Sequence, residues 1–266
     1  MKRSAFTITE VLVVITIIAM LTALLLPALR LSRKQAEVAV CSSNISQLLK
    51  GMFSYELDNQ NLPYGLDTLP EDPPPGGSPG YISYDRPGWW WFNQLEDYYT
   101  NATKARTVAL CPSKRLRSTK FKYNVLCGNY GVNRSICKGT DDKQSRRAEF
   151  VGTPLRSSDI PRPASTLLIV DSGYSIISWW NAVDEPPVIL SKDAIEDTAY
   201  VPGLWINERK DLWPDQKPDA IDGRHPRKTV NVGFADGHVC LTKAGDLFVE
   251  KAGSDYKNKK PLWVPK

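Results

Sequence analysis

The side chains best suited to catalysis are the chain's two histidines, His225 and His238, and the carboxylates near them in sequence. Asp236 and His238 flank Gly237, and Asp171 ends an apolar run, so Asp171, Asp236 and His238 are candidates for an acid–base set in a hydrolase. The two histidines are not expected to share a metal ion, because about seven extended residues between them would span roughly 23 Å. Asp236-Gly237 is more typical of a tight turn. We therefore predict neither a catalytic nor a metal site here.

Five cysteines form a second set of reactive side chains: Cys41, Cys111, Cys127, Cys137 and Cys240. None belongs to a C-x-x-C pair, which disfavours zinc-ribbon and thioredoxin-type chemistry. Cys41 lies on an apolar helical stripe and Cys111 follows a short predicted strand, so a disulfide between them would join helix to sheet. Cys127 and Cys137 flank a local loop and are a second candidate pair, which would leave Cys240 unpaired. Other pairings stay open, because connectivity does not follow from sequence.

An aromatic cluster is the third candidate site. Trp89, Trp90 and Trp91 follow a low-complexity segment rich in Pro and Gly, residues 70–80. Aromatic rings can stack on sugars, and the chain would then be a membrane-anchored carbohydrate-binding module. Three adjacent residues on a regular strand alternate between its faces, so a flat platform requires a loop. We favour the alternative, in which the rings are hydrophobic anchors for irregular backbone.

These groups must be positioned by elements that begin with an apolar run over residues 6–29, in which Glu10 is the single charge. As a helix rising about 1.5 Å per residue, the run would span roughly 36 Å, enough for a hydrocarbon core of about 30 Å. An ordinary signal anchor has the same length but gives no role to Glu10, since an acid within a membrane helix is costly and usually has a partner. If residues 1–5 were removed, the new amino group of Phe6 would lie one helical turn from Glu10.

Ala5, Phe6 and Glu10, with the basic leader and the apolar run, resemble the cleavage and N-methylation segment of type IV prepilins and type II secretion pseudopilins. The resemblance implies that a prepilin peptidase removes the leader, residues 1–5. It also implies that Phe6 is methylated and that Glu10 guides assembly with other pilin-like subunits. The chain departs from the family pattern at Ala5, where a glycine usually stands.

The charges that flank the apolar run do not set its orientation. Lys2 and Arg3 precede the run, whereas Arg30, Arg33 and Lys34 follow it, so the positive-inside rule gives a tie. The resemblance implies a cytoplasmic N-terminus, a single pass through the inner membrane and a periplasmic or extracellular domain.

Two further stretches resemble a group of pseudopilin-like proteins. One begins at Cys41 and reads Cys-Ser-Ser-Asn-Ile-Ser-Gln; the other reads Phe-Ala-Asp-Gly-His-Val over residues 234–239. The second matches a C-terminal H-x9-DG signature, whose positions here are His225, Asp236, Gly237 and His238. The match is imperfect, because ten residues separate His225 from Asp236. Some related pseudopilins carry a calcium ion in a C-terminal loop, but no specific motif here supports calcium, and we expect no cofactor.

Periodicity predicts the elements around these motifs. An apolar stripe continues beyond Pro27, which should kink the helix, through Leu31, Val38, Cys41, Ile45, Leu48, Met52 and Tyr55. Residues 229–242 predict a β-hairpin in which a two-residue type I′ turn pairs Ala235 with His238 and places Phe234 opposite Val239.

We therefore expect an α+β, pilin-like fold. A long N-terminal helix over residues 6–58, with a membrane half and an amphipathic half, would pack on an antiparallel sheet with long loops. Residues 59–266 would form one extracytoplasmic globular domain. The 34 basic and 29 acidic residues are interspersed and the net charge is +5, which does not favour nucleic-acid binding. The expected role is structural, in a pseudopilus, and not enzymatic.

Overall fold

The computed structural model describes residues 7–68, 88–99, 108–122, 124–140, 148–190, 192, 195–258 and 261–265. Within these ranges there are one long helix, α1 (Ile8–Asn59), and two short helices, α2 (Thr119–Lys122) and α3 (Lys217–Asp222). The strands are β1 (Leu66–Asp67), β2 (Trp89–Trp90), β3 (Tyr130–Asn133), β4 (Leu167–Asp171), β5 (Ile176–Ile177), β6 (Thr229–Phe234), β7 (Val239–Lys243), β8 (Glu250–Ala252) and β9 (Asp255–Lys257). Short 3-10 segments connect them, at Glu96–Tyr98, Ala148–Phe150, Ser157–Asp159, Pro163–Ser165, Trp179–Ala182, Ile195–Thr198, Trp205–Arg209, Pro226–Lys228 and Ala244–Leu247.

Helix α1 runs through Pro27 as one element and ends at Gln60, whose φ of 62° is left-handed. Residues 8–36 are exposed, and the helix becomes buried only from Cys41 onward. Along the predicted stripe the side chains buried in the domain are Cys41, Ile45, Leu48 and Met52. Leu31 remains 53% exposed, because it precedes the point where the domain begins. The apolar stripe is therefore a helix–domain interface over its second part.

The central sheet has five strands in the order β5-β3-β4-β6-β7. Three neighbouring pairs, β3 with β4, β4 with β6 and β6 with β7, are antiparallel, and β5 adds to β3 in parallel. Strands β1 and β2 form a separate antiparallel pair, as do β8 and β9. The predicted α+β architecture, a long helix on a largely antiparallel sheet, is confirmed, with one parallel strand at its edge.

Both faces of the central sheet are buried along strands β3 to β6, whereas the edge strand β7 is partly exposed. On the first face, Gly233 of β6 lies against α1, where an added Cβ would be 2.7 Å from Ile45 Cγ2 and 2.9 Å from Leu49 Cδ1. The missing side chain thus lets the helix approach the strand backbone closely. On the second face, Val230 and Val232 pack with large apolar residues of the loops, including Trp179, Trp180, Leu247 and Trp263. The helix covers only one side of the sheet, and irregular segments cover the other.

The β6–β7 hairpin forms where it was predicted, but the predicted register is wrong. Phe234 pairs with His238 and not with Val239, because Phe234 N donates to His238 O at 3.0 Å. The loop has three residues, 235–237, and Gly237 has a φ of 94°. A type I turn followed by a left-handed glycine is a common three-residue connection, and Asp-Gly suits it as well as the two-residue turn. Turn chemistry alone therefore does not fix the register.

Candidate functional site

The exposed half of α1, residues 8–36, is the first candidate site. Among the described residues it belongs to the one helix that is long and apolar enough to cross a membrane, and its most apolar window has no side chain buried in the protein. Leu24, Leu25 and Leu26, for example, are 69%, 64% and 52% exposed. A continuous apolar surface of this kind is normally covered by lipid or by another protein. This segment is a candidate membrane anchor.

Glu10 lies in the first turn of α1 and forms a capping box with Thr7. Thr7 N and the Thr7 hydroxyl donate to Glu10 Oε2 at 2.8 Å and 2.6 Å, and Glu10 N donates to Thr7 Oγ1 at 3.3 Å. The Thr-x-x-Glu spacing is a sequence signal for this helix start that sequence reasoning missed. The predicted cleavage position, Ala5, and the predicted partner of Glu10, the amino group of Phe6, lie outside the described residues.

The second candidate site lies where α1 enters the domain. We name it the polar centre: Cys41, Cys111, Asp171 and His225, all buried, each with one possible ligand atom, and these atoms within 4.8 Å of one another. The Cys41 and Cys111 sulfur atoms are 3.0 Å apart and not bonded. His225 Nε2 lies 3.1 Å from Asp171 Oδ2. The four side chains come from α1, the loop before α2, the end of β4 and the loop before β6, so only the folded chain brings them together.

Two asparagines orient the polar centre. Asn129 Oδ1 accepts a hydrogen bond from Cys111 N at 2.9 Å. Asn231 donates to Asp171 Oδ2 from its backbone N at 2.6 Å and from Nδ2 at 3.1 Å. Asp171 Oδ1 and His225 Nδ1 are buried, and the described residues give them no hydrogen-bond partner. The polar centre therefore keeps two polar atoms without hydrogen-bond partners among the described residues, in a place that solvent does not reach.

A buried ion pair lies next to the polar centre. Arg224 Nη2 is 2.7 Å from Asp219 Oδ2, and both side chains are fully buried. Arg224 also donates to Asn129 O at 2.8 Å and to Ser172 O at 3.1 Å, while the Tyr200 hydroxyl donates to Asp219 Oδ2 at 3.0 Å. Every nitrogen of the guanidinium thus has a partner, and this satisfies the main requirement for burying a charged pair.

The titratable groups of the polar centre differ in their pKa values. The hydrogen bond with Cys111 lowers the pKa of Cys41, whereas burial raises the pKa of Cys111. Burial alone would lower the pKa of His225, but the hydrogen bond to Asp171 and the negative charges of Asp171 and Cys111 together outweigh burial and raise the pKa. Of the two thiols, Cys41 is therefore the one that more readily becomes a thiolate.

The alternative hydrolase set, Asp171, Asp236 and His238, is not assembled. Asp236 and His238 sit together at the exposed hairpin turn, where His238 Nδ1 is 2.6 Å from Asp236 Oδ1. Asp171 is buried at the other end of β6, beside Asn231, so at least roughly 10 Å of strand lies between the two places. The histidines are separated in the same way, since His225 belongs to the polar centre.

The tryptophan cluster does not present an open platform. Trp90 and Trp91 are buried, with 0% and 1% exposure, and Trp89 is half-buried in β2. Trp91 Nε1 donates to Ser175 O at 2.9 Å, and Trp90 meets the ring of Tyr174 edge-on at 5.8 Å between centroids. These rings anchor the surrounding loops and are not displayed for a ligand.

The predicted short strand before Cys111 is wrong. Residues 108–110 are helical and turn backbone and not the predicted short strand. Leu110 O accepts from the side chain of Asn44 at 3.2 Å, so a helix side chain takes the place of a strand partner. All five cysteines lie in the described part of the chain, and no disulfide joins any of them. The two disulfide pairs, Cys41–Cys111 and Cys127–Cys137, stay predictions.

Comparison with known proteins gives partial matches to one kind of protein. The chain is 31% identical over 91 residues to the type II secretion system core protein G of Pseudomonas aeruginosa. The aligned region covers 33% of this chain and 63% of the relative. For the protein of the same name from Aeromonas hydrophila, identity is 35% over 90 residues, covering 30% of this chain and 63% of the relative. For that of Escherichia coli K12 it is 37% over 75 residues, with coverages of 27% and 52%.

These matches are partial in both directions. The chain spans less than two thirds of the length of the curated relatives described. No protein-family profile matches the chain, and no solved structure matches it. The relatives are named as a component of a secretion system and not as enzymes. The chain is thus similar, over part of its length, to a type II secretion pseudopilin, and it carries a candidate membrane anchor.

Proposed function

We propose that this protein is a pilin-like structural subunit. Prepilin peptidase would cut it between Ala5 and Phe6, and the mature chain would assemble through α1 into the pseudopilus of a type II secretion system or a related type IV pilus-like system. The observation that carries the proposal is the exposed apolar half of α1 with Glu10 in its first turn. The partial similarity to type II secretion system core protein G supports the same class.

Glu10 links anchoring to assembly. Its carboxylate already caps α1 through Thr7, so the side chain is held at the helix start. After cleavage, the amino group of Phe6 would be the nearest cation, in the same chain or in a neighbouring one. An acid and an amine that pair between helices neutralise each other and set the axial position of one helix on the next. The exposed leucines and isoleucines of residues 8–36 would supply the contact surface, first with lipid and then with other subunits.

The proposal implies a location and a set of partners. The chain would cross the inner membrane once, with its N-terminus in the cytoplasm and residues 59–266 in the periplasm or outside the cell. Its partners would be the prepilin peptidase and other pilin-like subunits. In the described part of the chain, neither competing function has its candidate residues in place: Trp90 and Trp91 are buried, and Asp171 is separated from Asp236 and His238.

Intact-mass analysis of the mature protein tests the processing step. Expressed with a prepilin peptidase, the full chain should lose residues 1–5 and gain one methyl group on Phe6. Ala5→Leu should block the cut, because the small side chain before the scissile bond is lost, whereas the neighbouring change Ser4→Leu should leave it intact. A mature chain that keeps Met1, or that starts beyond Leu29, contradicts the proposal.

A further inference from the structure

The polar centre contains more buried ligand atoms than hydrogen bonding uses. Two thiols lie 3.0 Å apart beside a paired imidazole and carboxylate. Asp171 and His225 are almost completely buried, yet Asp171 Oδ1 and His225 Nδ1 have no partner among the described residues. A buried acceptor without a donor is unfavourable, because folding removes its water without replacing it. Such atoms persist in a core when something else satisfies them.

We propose that Cys41, Cys111, Asp171 and His225 bind a structural zinc ion. Two sulfur atoms, one imidazole nitrogen and one carboxylate oxygen are the donor types found in four-coordinate zinc sites. With Zn–S distances of about 2.3 Å and Zn–N or Zn–O distances of about 2.0–2.2 Å, tetrahedral ligands lie roughly 3.3–3.8 Å apart. The ligand atoms here lie within 4.8 Å of one another, with the sulfurs at 3.0 Å, so movements of about 1 Å would complete the site.

The donor set discriminates between cations. Thiolate ligands select zinc and other soft or borderline metals, whereas calcium and magnesium prefer oxygen alone. The calcium site found in some pseudopilins is therefore chemically different from this one. Two thiolates and the Asp171 carboxylate would carry three negative charges, of which zinc would neutralise two. The buried guanidinium of Arg224 lies close by, where it donates hydrogen bonds to the backbone oxygens of Asn129 and Ser172.

The polar centre also has the outer contacts that metal ligands normally have. Asn231 fixes Asp171 through two hydrogen bonds, and Asn129 fixes the backbone of Cys111. Groups of this kind hold ligands in the orientation that a metal requires, and their loss typically weakens binding by about 10–100-fold. The orientation of the ligands is therefore determined by the fold.

A disulfide between Cys41 and Cys111 is the competing interpretation, and it excludes zinc. It would bring the sulfurs from 3.0 Å to about 2.05 Å. A disulfide would, however, involve neither Asp171 nor His225, whereas zinc would bind one atom of each of the four residues. A disulfide would join α1 to the domain at Cys111 alone, whereas zinc would join α1 to three residues of the domain: Cys111, Asp171 and His225. This inference does not depend on assembly into a filament.

Metal analysis of the full chain in detergent tests the proposal. The protein, reduced and then freed of reductant under anaerobic conditions, should retain about one zinc per chain by mass spectrometry of metals. Co²⁺ in place of zinc should give strong thiolate-to-cobalt charge-transfer absorption. Cys41→Ser and Asp171→Asn should weaken Co²⁺ binding by at least about ten-fold. The matched control, Cys240→Ser in the exposed strand β7, should bind as the wild type does.

Three results would overturn the zinc site. The first is a wild-type mass two hydrogens low, with a Cys41 peptide joined to a Cys111 peptide. The second is Co²⁺ binding without charge-transfer absorption. The third is unchanged binding in a folded Asp171→Asn variant. If Cys41→Ser fails to fold, as judged by circular dichroism, the wild-type spectrum and the near-isosteric Asp171→Asn variant still decide between the two interpretations.

Discussion

The two halves of helix α1 place similar residues in opposite environments. In residues 8–36 the apolar side chains lie all around the helix, and no part of the chain that the structure describes covers them. From Cys41 to Met52 the apolar side chains form one stripe, and every member of that stripe is buried. The second half is complete within one chain, whereas the first half lacks a partner. The comparison indicates that one half of the helix builds the fold; we propose that the other half contacts lipid and neighbouring subunits.

The largest loss of stability is expected from the ion pair beside the buried half. Arg224→Met leaves the charge of Asp219 buried without its cation, which should cost about 3–5 kcal/mol of unfolding free energy. Arg209→Met is the matched control, because Arg209 is 66% exposed in its pair with Asp184. Such exposed pairs contribute about 0–1 kcal/mol. Urea unfolding followed by tryptophan fluorescence measures both, and equal losses would show that burial of the pair does not matter.

Two leucines on the same helix test the comparison directly. Leu48, 1% exposed, packs in the hydrophobic core that α1 forms with the domain, whereas Leu25 is 64% exposed. Leu48→Ala should destabilise the domain by about 2–5 kcal/mol through lost burial and a cavity. Leu25→Ala should change its stability by less than about 0.5 kcal/mol. Similar losses in the same urea experiment would mean that residues 8–36 contribute to the fold, contrary to our account.

A smaller loss of stability is expected where α1 approaches the sheet closely, at Gly233. Gly233→Ala places a Cβ 2.7 Å from Ile169 Cγ2 and from Ile45 Cγ2 and should cost about 1–3 kcal/mol through overpacking. The control is Gly245→Ala, since an added Cβ there meets nothing within 4 Å. Thermal or urea unfolding that shows no difference between the two variants would contradict the packing described here.

The parts of the molecule that sequence predicted were those with a local cause. The apolar run predicted a helix long enough to cross a membrane, and this prediction needs only the local amino-acid composition. The predicted helix, 6–58, and the observed one, Ile8–Asn59, agree closely because Pro63 and the polar residues 58–61 stop it. The predicted hairpin register was wrong because Asp-Gly suits both two- and three-residue loops, so the turn residues alone do not select one.

The polar centre was not predicted because no local pattern encodes it. Residues 41, 111, 171 and 225 are separated by 50 residues or more, and their approach depends on how α1 docks on the sheet. The spacing between the two histidines argued against a shared metal ion, but in the fold His225 has Asp171 and two cysteines as neighbours. Charge and reactivity were visible in sequence, but proximity was not.

Glu10 provides the smallest expected change in stability and the largest in assembly. Thr7→Ala removes the capping box but keeps the charge, whereas Glu10→Ala removes both. Neither should change the unfolding of the globular domain by more than about 0.5 kcal/mol, since both residues lie far from it along α1. The pair of variants therefore separates a local capping role from a role between subunits.

Chemical crosslinking of the processed protein in membranes, with its assembly partners present, is the most direct test of the account. Wild type and Thr7→Ala should both give a ladder of crosslinked subunits, and Glu10→Ala should insert in the membrane but give mostly monomer. Equal ladders for wild type and Glu10→Ala, or loss of the ladder in Thr7→Ala as well, would contradict a role for the Glu10 charge in joining the exposed halves of α1.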